Sequence, residues 1–321
     1  MKQWLLACLM AGHVSMALAD PEPQPDPWAI LEKAAHAARD LSYKGILIYQ
    51  SGVNTRSIEI THMNTGQGEY ARVITLDGSP REVLSQGSDI VIFSPRNEKV
   101  VIEKRRGTNL FPALLPVNLD RIKSTYQAKL SGEERIADRE GFVVVLQPKD
   151  QYRYAYKICA DREYGLLLKA ATLNQKNEVI EHIAFNQLNL LSMNDMDWFK
   201  PKVDPRKSYV MEEETQVLNN SEPAPWNIGQ LPAGYRLIDH IQRTVPGKVS
   251  PVNQLIFSDG LSSVSLFIEP LAKGVRPKVG HTMIGPTNFF ANVNTGHQIM
   301  VVGEVPEVTV SQIANAVQFK K

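Results

Sequence analysis

Residues 69–105 read EYARVITLDGSPREVLSQGSDIVIFSPRNEKVVIEKR, and the punctuation of this stretch decides the fold. Asp77-Gly78-Ser79-Pro80 divides two β-type runs, 72–76 and 81–84. Glycine tolerates positive φ and proline presets its own, so the runs close as a hairpin. Gln86-Gly87-Ser88-Asp89 and Ser94-Pro95-Arg96-Asn97 repeat the signal around 90–93 and 99–102. The product is an antiparallel meander. A slip of one residue exchanges its faces, so the inward set is either Ile90 and Ile92 or Val91 and Phe93.

The meander has strands on both sides. Upstream, 44–51 and 55–63 alternate as strands around Gly52-Val53-Asn54. Ahead of them, 28–41 carries Ile30, Leu31, Ala34, Ala35, Ala38 and Leu41 on one helical stripe, with Asp26 as cap and Pro27 at the first helical position. His36 lies within this helix as a structural histidine. Downstream, 133–138, 142–148, 153–160, 166–173 and 179–190 are five further strands. About ten strands behind one helix predict an α+β domain built on a single, highly curved antiparallel sheet or incomplete barrel.

Two features of that domain are candidate binding elements. Residues 107–116 are apolar but bounded by Pro112 and Pro116, which excludes a long helix or a central strand. Leu110, Phe111, Leu114 and Leu115 suit a short helical turn lying on the sheet, either an ordinary core loop, the commoner outcome, or a lid over an apolar cavity. In 152–160, Tyr152, Tyr154 and Tyr156 alternate with Arg153, Lys157 and Cys159. Three tyrosines on one strand face would give a cavity an amphipathic lining, although a packed core is the usual result.

After residue 194 the composition changes: prolines at 201, 205, 223 and 225 and the run Glu212-Glu213-Glu214 mark a linker at 201–224, with one isolated strand expected at 209–211. The large domain thus spans 28–200. Residues 225–321 read as a small α+β domain, with strands at 236–243, 252–258, 264–270, 282–285, 288–293 and 298–304, a hairpin signal at Ser258-Asp259-Gly260, and a closing helix at 309–319.

The first nineteen residues read as a secretory signal peptide: Lys2, an apolar core, and Ala17-Leu18-Ala19 before Asp20. They are too short for a membrane span, and too few apolar residues precede Cys8 for a lipoprotein signal. Residues 20–27 follow as a proline-rich flexible leader. Of 35 Lys and Arg against 34 Asp and Glu, only Lys2 falls in the signal, so the remainder is balanced and offers no basic field for nucleic acid. Beyond the signal Cys159 is the single cysteine, which excludes an intrachain disulfide. It can join two chains as a homodimer or sit as a small buried hydrophobe, the commoner case.

Catalytic signatures are absent: no G-x-S-x-G, H-E-x-x-H, S-x-x-K, P-loop or G-x-G-x-x-G occurs. Histidines at 36, 62, 182, 240, 281 and 297 are too scattered to suggest a metal site. No catalytic residue, metal or cofactor is expected.

Six short pieces carry a resemblance: Leu76-Asp77-Gly78-Ser79-Pro80-Arg81-Glu82-Val83, Arg135-Ile136-Ala137-Asp138-Arg139, Asp150-Gln151-Tyr152-Arg153-Tyr154, Leu231-Pro232-Ala233-Gly234-Tyr235, the stretch from Ser258-Asp259-Gly260-Leu261 to Phe267-Ile268-Glu269-Pro270, and Val301-Val302-Gly303-Glu304-Val305-Pro306. In this order the chain resembles the RseB/MucB family of periplasmic regulators of the envelope-stress sigma factor sigma-E (AlgU). The resemblance implies a periplasmic protein with a LolA/LolB-like N-terminal domain holding an apolar cavity. It also implies a partner, the periplasmic domain of a membrane-spanning anti-sigma factor of the RseA or MucA kind, shielded from proteolysis until lipid or lipopolysaccharide displaces the regulator. A lipid or lipoprotein carrier of the LolA type is the alternative, and the C-terminal domain speaks against it. The resemblance assigns no partner-binding residue.

Overall fold

The structure, a computed structural model, describes residues 24–87, 89–94, 99–104, 110–192, 195–200, 210–213, 224–243 and 251–320. The expected signal peptide and the first half of the expected leader, residues 20–23, lie outside them. Helix α1 (Pro27–Asp40) precedes six strands: β1 (Tyr43–Ser51), β2 (Asn54–Asn64), β3 (Glu69–Thr75), β4 (Glu82–Gln86), β5 (Asp89–Ser94) and β6 (Lys99–Lys104). A short helix, α2 (Asp120–Thr125), leads to β7 (Tyr126–Ile136), β8 (Arg139–Pro148), β9 (Ala155–Asp161), β10 (Leu167–Leu173) and β11 (Val179–Leu190). A 3-10 turn at Met196–Phe199 and strand β12 (Val210–Glu213) follow.

The remaining elements are β13 (Trp226–Ile228), β14 (Arg236–Arg243), β15 (Val252–Ser258), β16 (Ser263–Pro270), β17 (Gly280–Ile284), β18 (Thr287–Asn294), β19 (His297–Gly303), α3 (Glu307–Asn315) and β20 (Val317–Phe319).

The first twelve strands form one sheet in the order β12-β6-β5-β4-β3-β2-β1-β11-β10-β9-β8-β7, open because β12 and β7 are not neighbours. The sheet curls around α1. Ile30, Leu31, Ala34 and Ala35 pack with Val144, Leu146, Tyr156, Ile158 and Leu167, while Ala38 packs with Tyr43, Leu47, Ile60 and Phe185 from the other part of the sheet. The helix starts where the cap predicts, with Asp26 accepting bonds from the amides of Trp28 (3.2 Å) and Ala29 (3.3 Å). Gly45 allows close packing near its end, since a Cβ there would lie 2.7 Å from the Phe185 ring.

Pairing settles the faces of the meander. Cross-strand partners point to the same side of a sheet, and the rows run Ile92, Val83, Val73, Ile60 and Ile90, Ser85, Ala71, His62, Tyr43. Tyr43 lies under α1, its hydroxyl donating to the Ala38 carbonyl at 3.2 Å. Ile90 and Ile92 are therefore the inward pair. Val91 shares the outer face with Leu84 and Arg72.

Several expectations need correction. No helical turn forms in the 110–115 segment, because Pro112 and Pro116 hold the residues before them away from helical angles; the helix is α2, further along. Strand β7 starts at Tyr126 rather than 133, following the alternation of Tyr126, Ala128 and Leu130 to a register shift between Leu130 and Glu133. Strand β9 starts at Ala155, because the Asp150 carboxylate takes the Tyr152 amide at 3.0 Å and turns the chain. The strand expected alone near 209–211 is β12, which pairs in parallel with β6.

The C-terminal part is a six-stranded sheet, β14-β15-β16-β19-β18-β17, with α3 on one face and the pair β13-β20 beside it. The closing helix ends at Asn315, not at 319. Val317 continues its apolar stripe but pairs with Ile228, and the Gly229 amide takes the Ala316 carbonyl at 2.7 Å.

Candidate functional site

The helix-bearing face of the large sheet is covered by the predicted apolar segment. Leu115 is fully buried in the cluster around α1, Leu114 packs against that cluster, and Phe111 touches both clusters with its ring 5.6 Å from Phe185. Leu110 points outward and is 59% exposed. Of the four expected lid residues, three sit on this face and one does not.

The three tyrosines separate. Tyr156 stands on the α1 face, beside the Tyr126 ring at 6.2 Å. Tyr152 packs instead into the small domain's core. The Tyr154 hydroxyl accepts from Asn288 Nδ2 at 3.2 Å, and the same amide donates to the Val305 carbonyl at 2.8 Å. Tyr152 and Tyr154 thus belong to a turn at the domain junction, not to a ladder on one strand.

That junction is the arrangement that the sequence reading missed. Arg153 and Asp259 are both fully buried, with Nε 3.0 Å from Oδ2. Neither atom has an aligned hydrogen bond, so charge holds the contact. The other carboxylate oxygen ties its own turn, accepting from the amides of Leu261 and Ser262, each at 2.9 Å. The Arg153 guanidinium also donates to Asp150 and to the Ala233 carbonyl, and lies 5.1 Å from the Tyr235 ring centre. Burial alone would lower the Arg153 pKa; the charges of Asp259 and Asp150 outweigh it and the net direction is up.

Backbone and side chains close the junction around this pair. The Tyr152 carbonyl accepts from the hydroxyls of Thr309 (2.8 Å) and Tyr235 (3.3 Å). Gly234, at φ +83°, leaves room where a Cβ would lie 2.6 Å from Thr125 and 2.9 Å from Arg153. Burial first, then the Asp259 charge, pushes the Tyr126, Tyr156 and Tyr235 hydroxyls upward in pKa and keeps them neutral. Asp150, Tyr152, Arg153, Gly234, Tyr235 and Asp259 come from Asp150-Gln151-Tyr152-Arg153-Tyr154, Leu231-Pro232-Ala233-Gly234-Tyr235 and Ser258-Asp259-Gly260-Leu261, three of the pieces that carry the resemblance. Their shared location was the missing signal.

Other features bear on binding less directly. A cleft of about 610 Å³ at the β3–β4 turn is lined by polar residues including Arg56, Asp77 and Arg81. Cys159 is buried on the outer face of the sheet, its thiol pushed up to about 12, by burial first and then by Glu134. Among the described residues, no three His, Cys, Asp or Glu side chains gather as a metal site, and no helix is long and apolar enough to cross a membrane.

An open sheet wrapped on a helix, with a small second domain joined to it around a buried charge pair, is the architecture of this chain. Residues 26–203 match the MucB/RseB N-terminal domain and residues 220–318 the MucB/RseB C-terminal domain, and the chain belongs to the MucB/RseB family. It is 28% identical to the sigma factor AlgU regulatory protein MucB of Pseudomonas aeruginosa, over 97% of this chain and 96% of that one. Identity to the sigma-E factor regulatory protein RseB of Escherichia coli K12 is 25%, over 99% of each. The fold is similar to that of MucB crystallised with the periplasmic part of MucA, at a TM-score of 0.74 and 27% identity, covering 92% of this chain and 100% of that one.

Proposed function

We propose that the chain is a periplasmic regulator of the sigma-E type, a binding protein and not an enzyme. It holds the periplasmic domain of a membrane-spanning anti-sigma factor and shields it from regulated proteolysis. Lipid or lipopolysaccharide, taken up at the α1 face that Phe111, Leu114 and Leu115 cover, relieves the inhibition. The observation that carries this reading is the correspondence, across both domains, to the MucB that was crystallised with a periplasmic MucA partner. A lipid carrier would need the large sheet alone, and here the small domain is joined to it by a buried charge pair.

The test uses the mature chain and the periplasmic segment of the anti-sigma factor from the same organism. Binding at micromolar concentration or tighter, with slower cleavage of the bound segment by its site-1 protease, is the expected result. Absence of binding at that concentration sinks the reading.

A further inference from the structure

We propose that residues 111–125 are a mechanical link, coupling the apolar face of the large sheet to the seat of the small domain. At one end, Phe111, Leu114 and Leu115 cover the α1 face. At the other, α2 carries Ile122 and Thr125 against the small domain. Leu261 of that domain is buried in the same cluster as Leu115, Leu119 and Ile122, and a Cβ on Gly260 would lie 3.5 Å from Ile122. Helix α2 is fixed at its start by Asn118, whose side-chain oxygen accepts from the Asp120 amide at 2.8 Å, and is tied to α1 through Lys123 and Glu32 at 2.5 Å, while Leu115, Leu119 and Ile122 share one buried cluster. Leu115, Leu119 and Ile122 therefore move together or open a cavity.

The direction of coupling follows from this continuity. An apolar ligand that displaced Phe111 and Leu114 would drag α2 and withdraw Ile122 from Leu261. Asp259, whose carboxylate binds the Leu261 amide, would then be pulled from Arg153. A fully buried ion pair is poorly tolerated when half separated, because both charges stay desolvated while their attraction falls. The junction is thus two-state, seated or released, and a small shift at one end is converted into a domain movement.

This deepens the regulator reading and rests on it only for the ligand and for the partner that uses the motion. The coupling itself is measurable in the chain alone, so its failure is distinct from failure to bind an anti-sigma factor. Spin labels on V53C in the large domain and L237C in the small one, at positions 99% and 51% exposed, report the interdomain distance by pulsed dipolar spectroscopy. Cys159 is buried and stays unlabelled.

Asp259→Asn should broaden and lengthen the distance distribution. Phe111→Glu, which places a charge on the apolar face, should do the same, and the double variant should go no further than the larger single change. Should Phe111→Glu fail to fold by circular dichroism, Leu114→Glu replaces it, since that side chain is only half-buried. A wild-type distribution in the Glu variant beside a broadened Asp259→Asn overturns the coupling. So do unchanged distributions in both, or additive broadening in the double variant.

Discussion

Among the described residues two arginines are buried against carboxylates, and they hold structures of different scale. Arg72 of β3 donates to Glu82 of β4 at 2.6 Å, with the side chains 9% and 11% exposed, and donates to the Trp198 carbonyl at 3.2 Å. Arg153 faces Asp259 at 3.0 Å with neither side chain exposed. The first pair lies within one sheet, whose ladder persists if the pair is lost. The second joins two domains that are also tied by hydrogen bonds, by Leu261 in the α1 cluster and by Tyr152 in the small domain's core. A buried ion pair repays its desolvation poorly but penalises every misaligned arrangement, so its value grows with the freedom of the parts it aligns.

The comparison breaks most visibly at the junction. Asp259→Asn removes one of the two carboxylates on the buried Arg153 and leaves only Asp150, and should cost about 3 kcal/mol, the low end for a broken buried pair. The small domain should then melt apart from the large one, giving two calorimetric transitions in place of one. A single transition at the wild-type temperature would show that charge does not hold the domains together.

A smaller effect is expected on the outer face. Arg72→Met removes both bonds, and Glu82, 11% exposed where Asp259 is fully buried, keeps some access to water. The loss should be about 1–3 kcal/mol, in one unsplit transition. The turn at Met196–Phe199 loses its anchor to β3, so chymotrypsin should cut beside Trp198 or Phe199 faster than in the wild type. Unchanged cleavage would mean that the contact of Tyr70 with Phe199, 5.8 Å between ring centres, suffices.

Legibility from the sequence follows the range of the interactions. The meander could be read because Asp77-Gly78 and Gln86-Gly87 act over four residues, and α1 because Asp26 and Pro27 are its own neighbours. The inward choice of Ile90 and Ile92 needed the row of partners back to Tyr43, a relation that no local pattern contains. Strand β9 was read too long because the alternation of tyrosines continues into a turn that Asp150 imposes. The closing helix was read too long because Val317 serves the helical stripe and the strand equally well. Arg153 reads as a strand residue on the face opposite the tyrosines and Asp259 as a hairpin signal. Only the fold brings these two together, since a charge pair between distant segments leaves no periodicity in either.

A third charge cluster, half open to water, marks the lower end of the same scale. Glu134 bonds Lys157 at 2.5 Å and Lys169 at 3.1 Å, with the three side chains 27–38% exposed. Burial pushes the Glu134 pKa up, but the two lysine bonds outweigh it and the net direction is down. A carboxylate depressed in the folded state stabilises fully above its unfolded pKa, and that contribution is lost as the pH falls through the folded value. Glu134→Gln should therefore cost roughly 0.2–1 kcal/mol at pH 7, discounted for solvent screening. The difference from wild type should shrink as the pH falls below about 4.3, the ordinary carboxylate range. Denaturant unfolding of both proteins at a series of pH values measures it. A gap that stayed constant into acid would assign the loss to packing of the side chain and not to its charge.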